Sequence, residues 1–323
     1  MRDQRRAGDS SALNASPAPS IDLALLRTIR RVTPGSAGPV VVGVDGSERA
    51  YDALTLAALL VAPEQRVLVT HVHPYGPMSN LLSSGEYESL VRDVTESAFL
   101  AVQETLAPSM ERELRLVSDA TPAGGLQTVA ADNGASLIVV GSSHRSGLGR
   151  VHPGSVTESV LSGAPVPVAV APSGYARQGG ELRRIGCGFD GSSESREALQ
   201  WAVSAARVRD AEVVALSVHS PVAFGGVSTA PGLGYQSAND ALRAGLEAKL
   251  RAAVESVDAG AKVSARTLDG DPVTLLRDAS AELDLMVLGS RGFGPFRTLL
   301  LGSVSRAVVR DAACPVVAVP RRD

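Results

Sequence analysis

The chain has 323 residues, 44% of them hydrophobic and 20% charged, with a formal net charge of -3 at pH 7. That length suffices for two ordinary domains with a core each, and 31 basic residues mixed among 34 acidic ones leave no broad field for nucleic acid or an anionic membrane. Cys187 and Cys314 stand in no metal-type spacing with His71, His73, His144, His152 or His219, which argues against a zinc site and, with both thiols unpaired, for a cytoplasmic location.

Residues 1–38 are expected to form a flexible extension. Met1 to Ser20 is polar and lacks the apolar run of a secretory signal. Residues 20–32 have the pattern of a short amphipathic helix, which reads either as a partner-docking arm or as a loosely ordered tail. No stretch of about twenty apolar residues is present to cross a bilayer.

Beyond the extension, short apolar runs alternate with longer segments of helical period. Strands are predicted at Val40 to Val44, Val67 to Val72, Leu114 to Val117, Leu137 to Val140 and Val166 to Val170. A small polar stretch, residues 175–182, follows as a linker between a first domain at 39–174 and a second at 183–323. The second set of strands is predicted at Ile185 to Phe189, Val213 to Val218, Lys262 to Arg266, Leu285 to Leu288 and Val316 to Val319. Leu242, Leu246, Leu250 and Val254 recur every fourth residue and predict a helix laying one apolar stripe on a core. Steady alternation of strand and helix gives an α/β fold, a parallel sheet with helices on both faces, with ligands expected beyond the carboxyl ends of the strands.

The two halves are copies of one unit. Val41 to Ser47 returns as Gly186 to Ser192, with Asp45 and Asp190 145 positions apart. Leu137 to Ser142 returns as Leu285 to Ser290, and Gly154-Ser155-Val156 as Gly302-Ser303-Val304, both 148 positions on.

After the fourth strand of the second copy comes Gly289-Ser290-Arg291-Gly292, then nine residues to Gly302-Ser303. Glycines there let backbone N–H groups approach a polyphosphate closely, and Ser303 is placed to cap the next helix, to contact phosphate, or both. This spacing resembles the nucleotide motif of the universal stress protein family. Asp190-Gly191-Ser192 at the first strand end, Leu216-Ser217-Val218 and Cys314-Pro315-Val316 resemble that family too, and the two copies together carry the likeness over nearly the whole chain.

The resemblance implies several things that composition and periodicity do not. The fold would be two tandem open parallel five-stranded sheets of the adenine nucleotide alpha hydrolase-like type. ATP, with Mg2+ as an optional companion, would lie with adenine and ribose near Asp190 and the backbone of Val218, and with its phosphates on Gly289, Gly292, Gly302 and Ser303. Last strands pair in the family, so the two copies would pair within the chain; a homodimer of whole chains, an unnamed protein partner and cyclic AMP as ligand stay open.

The first copy departs in one place, where His144 stands at the motif's second glycine. A side chain there is expected to impair phosphate binding. The opposite reading is that His144, Arg145, Arg150 and His152 supply positive charge. Asp45, Val72, Gly141, Gly154 and Ser155 remain candidates for a weaker site, although Ser155 with Glu158 also matches a capping box and the two aspartates also suit turns. His71 and His73 read as structural. Gly186-Cys187-Gly188 falls inside a strand and so argues against a dinucleotide turn, and the glycine-rich run from Phe224 to Tyr235 reads as a flexible connection.

Between Gly289 and Ser303 there is no Asp, Glu or Lys, and the same holds from Gly141 to Ser155. Efficient phosphoryl transfer needs metal-holding groups and a cation at the phosphates. The expectation is a nucleotide-dependent sensor that binds without turnover. Slow hydrolysis as a timer, with Asp190 on magnesium, and a scaffold without nucleotide are the alternatives.

Overall fold

A computed structural model describes residues 38–74, 84–143, 149–221, 233–257, 260–290 and 301–321. The expected N-terminal arm, His144, Gly292 and most of the Phe224 to Tyr235 run lie outside the described residues; Leu233 to Tyr235 already belong to a helix.

The first repeat runs β1 (Val40–Gly43), α1 (Glu48–Leu60), β2 (Val67–Pro74), α2 (Ser84–Thr105), β3 (Arg112–Asp119), α3 (Pro122–Asp132), β4 (Leu137–Gly141), α4 (Ser155–Leu161) and β5 (Val168–Ala171). After α5 (Tyr175–Gln178), the second runs β6 (Arg184–Gly188), α6 (Ser193–Arg209), β7 (Glu212–His219), α7 (Leu233–Ser256), β8 (Lys262–Asp269), α8 (Pro272–Ala279), β9 (Leu285–Gly289), α9 (Ser303–Val309) and β10 (Val316–Val319). Helices α1, α3, α6 and α8 start where a side chain caps them. Thr121 Oγ1 accepts from Gly124 N at 3.0 Å and Asp271 Oδ2 from Thr274 N at 2.8 Å, each followed by a proline at the first helical position, which has no N–H to satisfy.

The strands form one ten-stranded sheet in the order β3-β2-β1-β4-β5-β10-β9-β6-β7-β8. Pairing is parallel within each repeat and antiparallel at one seam, where Val316, Val317 and Ala318 oppose Val170, Ala169 and Val168. The two expected five-stranded sheets are therefore halves of one surface. Successive strand residues point to opposite faces, so Val40 and Val42 enter one core with α1, α2, α6 and α7, while Val41 enters another with α3, α4, α8 and α9. Each core draws on both repeats.

Three local expectations change. Residues 175–178 form a helical turn: Tyr175 is buried in the first core, and the buried Asp52 carboxylate accepts from Gly174 N at 2.9 Å and Ala176 N at 2.8 Å. The α7 stripe is only partly engaged, because Leu242 is 57% exposed and burial becomes complete at Leu250. Gly154 and Gly302 occupy the cap positions of α4 and α9 with no side-chain bond, so Ser155 and Ser303 are the first helical residues rather than caps. Glu158 turns instead to Arg310 at 3.0 Å, which replaces the capping box by a contact between repeats.

The seam is reinforced on its flanks. Val151 N donates to Ala312 O at 2.9 Å, Arg150 Nη1 to Asp311 Oδ1 at 3.0 Å, and Arg209 Nε to Leu59 O at 2.8 Å. Arg150 and His152, whose Nδ1 lies 3.2 Å from Arg310 O, thus face the other repeat rather than serving as charge for a first-repeat anion site.

Candidate functional site

Strand order reverses between β1 and β4 and again between β6 and β9. Beyond the strand ends at each reversal lies a cavity. The second repeat's measures about 210 Å³ and is lined by Asp190, Val218, Gly289 and Gly302, four of the expected site residues. Ser303 is exposed and is not part of the lining. The first repeat's cavity, about 280 Å³, is lined by Asp45, Val72 and Gly141, whereas Gly154 and Ser155 stand outside the lining at the start of α4.

The same backbone frame builds both. Gly46 and Gly191 follow the aspartates with φ of 75° and 85°, a conformation in which a Cβ is costly. Each aspartate then turns back on the next serine: Asp45 Oδ1 accepts from Ser47 N at 3.1 Å, and Asp190 Oδ1 from Ser192 N at 3.0 Å. The turn-forming role considered for these aspartates is thus real. A Cβ on Gly141 would lie 2.8 Å from Arg49 O, and one on Gly289 2.7 Å from Glu194 O, so these glycines let the first turn of α1 or α6 rest on the strand end. Thr157 Oγ1 and Ser305 Oγ hold the carbonyls of Gly141 and Gly289 at 3.0 and 2.9 Å. His71 Nδ1 lies 3.0 Å from Val44 O, and Ser217 Oγ donates to Phe189 O at 2.7 Å, the same contact made by different chemistry.

Among the residues that the motif did not single out, Arg49, Glu194 and Ser290 distinguish the linings. Arg49 lines the first cavity and grips Asp45 Oδ2, with its Nε donating to Ser47 Oγ at 3.0 Å. Its place in the second cavity is taken by Glu194. Burial works to raise the Glu194 carboxyl, but its own backbone N–H, the Ser193 hydroxyl and Arg321 at 3.8 Å outweigh this and hold it below its ordinary value. Ser290, 1% exposed, lines the second cavity, and its Oγ has no hydrogen-bond partner among the described residues. Its counterpart Ser142 is occupied, accepting from His152 N and donating to His152 O at 2.9 Å. The four-residue spacing of Asp45 and Arg49 was a readable signal; the orphaned Ser290 hydroxyl was not.

Among the described residues no three His, Cys, Asp or Glu side chains cluster as a metal site. Cys187 and Cys314 are buried and free, and burial pushes both thiols up, away from reactivity. No helix among the described residues is long and apolar enough to cross a membrane.

The sequence profile described as the universal stress protein family matches residues 37–172 and 181–320. A universal stress protein of Mycobacterium tuberculosis is 31% identical over 291 residues, covering 86% of this chain and 95% of the relative. One from Mycolicibacterium smegmatis is 29% identical, covering 88% and 97%. Among solved structures, a universal stress protein from Archaeoglobus fulgidus shares the fold with a TM-score of 0.60 at 19% identity, covering 89% of this chain and all of that one. Two profile matches in tandem and a relative 31% identical over most of both chains place this chain in the universal stress protein family.

Proposed function

We propose that the second repeat binds ATP in the cavity between β6 and β9, and that the bound state regulates a protein partner rather than driving chemistry. One observation carries the reading: Asp190, Val218, Gly289 and Gly302, distant in sequence, border a single cavity at the strand ends. The lining suits such a ligand. Phe189, Leu216, Leu276 and Leu288 offer apolar walls for a flat base, while Asp190 and the Ser290 hydroxyl offer polar contacts to a sugar. Gly289 has a packing reason of its own, as a scaffold without ligand would require; the buried Ser290 hydroxyl, which has no partner among the described residues, favours a ligand.

Binding without rapid turnover is supported by the motif's composition. The segment from Gly289 to Ser303 carries no Asp, Glu or Lys, so a triphosphate there gains positioning from backbone amides and little transition-state stabilisation. A ligand acts as a regulator by binding one conformation of the chain more tightly than another.

Calorimetric titration of ATP into the wild type and Gly292→His tests this. The expected result is one tight site in the wild type, its loss in the variant, and turnover below about one per second at saturating ATP and magnesium. An unchanged isotherm in Gly292→His overturns the assignment, and a parallel titration with cyclic AMP decides between the two ligands.

A further inference from the structure

We infer that Arg49, and not the motif's His144 alone, sets the ligand preference of the first cavity by occupying the carboxylate that a ribose would need. The inference rests on the nucleotide reading of the second cavity and extends it to the first. Arg49 grips Asp45 Oδ2 while Asp45 Oδ1 is held by Ser47, so both carboxylate oxygens already have partners. The Arg49 side chain is 32% exposed and forms part of the cavity wall. Its backbone cannot withdraw, because the first turn of α1 rests on Gly141 at a separation that leaves no room for a Cβ.

The second repeat keeps that backbone and inverts the charge. Glu194 stands on Gly289 as Arg49 stands on Gly141, and an acid cannot form the ion pair with Asp190 that Arg49 forms with Asp45. The hydroxyls follow the same division: Ser142 is tied to His152, while Ser290 has no partner among the described residues. The first cavity is therefore satisfied from within, and a sugar entering it must displace an ion pair. A half-exposed pair of this kind is weak, so the device lowers affinity rather than abolishing it.

The test separates sugar from phosphate. Adenosine and ATP are titrated into Asp190→Asn protein, in which the second cavity is impaired, with and without Arg49→Ser. Adenosine affinity at the first cavity is expected to rise on the order of tenfold in Arg49→Ser and to stay unchanged in His144→Gly. In otherwise wild-type protein, Glu194→Arg is expected to weaken adenosine at the second cavity by a similar factor. Thermal melts establish that each variant is folded. Unchanged adenosine affinity in Arg49→Ser overturns the inference, as does a fall in ATP affinity, which would make Arg49 a phosphate ligand. Failure of wild-type protein to bind either compound overturns the nucleotide reading instead.

Discussion

The second residue of α1 is Arg49 and the second residue of α6 is Glu194, each lying across the glycine that ends the neighbouring strand. Around them the two repeats agree closely: an Asp-Gly-Ser turn with a left-handed glycine, and a hydroxyl from the next helix on the strand-end carbonyl. What differs is the side chains facing the cavity, with a cation bound to Asp45 on one side and an ionised carboxylate beside Asp190 on the other. A duplicated frame constrains the backbone-setting residues twice over and leaves the lining free to diverge, so the two cavities of one chain need not share a ligand.

The comparison presumes that both cavities stand on one folded unit, and the largest expected effect is on that unit. Val317 is fully buried at the seam, opposite Ala169. Val317→Asp should destabilise the protein by about 4 kcal/mol or more, since it buries an unpaired charge. Urea unfolding followed by the single tryptophan, Trp201 in the second repeat, and by far-UV circular dichroism should coincide in the wild type. Separate transitions there would show that the repeats fold independently.

Replacing Gly141 or Gly289 by alanine presses a Cβ onto helix backbone that cannot rotate away. Each change should cost about 1–3 kcal/mol, and the two costs should be similar. A marked inequality in their urea midpoints would mean that the frames are less alike than their geometry.

The smallest effect is a pH dependence in the first repeat. Burial, and then the neighbouring charge of His71, holds the His73 imidazole below its ordinary value of 6.5. The unfolded chain thus binds a proton more readily than the folded one, so this residue favours folding at higher pH and its contribution is lost as pH falls below about 6.5. His73→Phe should flatten the drop in melting temperature between pH 7.5 and about 5.5; an unaltered drop would assign it to other groups.

Much of the fold was legible in the chain. Continuous valine runs mark the central strands, and the Val316 to Val319 prediction matches β10 end to end. The outer strands were read short, Leu114 to Val117 for Arg112–Asp119 and Lys262 to Arg266 for Lys262–Asp269, because the ends of an edge strand carry charged residues such as Arg112 and the exposed Asp269 that hide its length. The predicted strand from Val166 begins only at Val168, after Pro167, which has no N–H for a ladder. The seam could not be read from hydrophobic pattern, since β5 and β10 look like any other buried strands; it was expected only from the family likeness. In the cavity, strand-end residues were readable because the motif names positions on the backbone. The Asp45–Arg49 contact was hinted at by its four-residue spacing, whereas the lack of a partner for the Ser290 hydroxyl among the described residues depends on its neighbours in space and is not written in spacing.

The antiparallel seam also bears on abundance. Two separate units meeting through β5 and β10 would part on dilution, but the short run from Pro172 to Arg183 holds each at an effective concentration of order millimolar beside the other. The cell therefore always receives the two unlike cavities in a fixed one-to-one ratio, however little of the protein it makes.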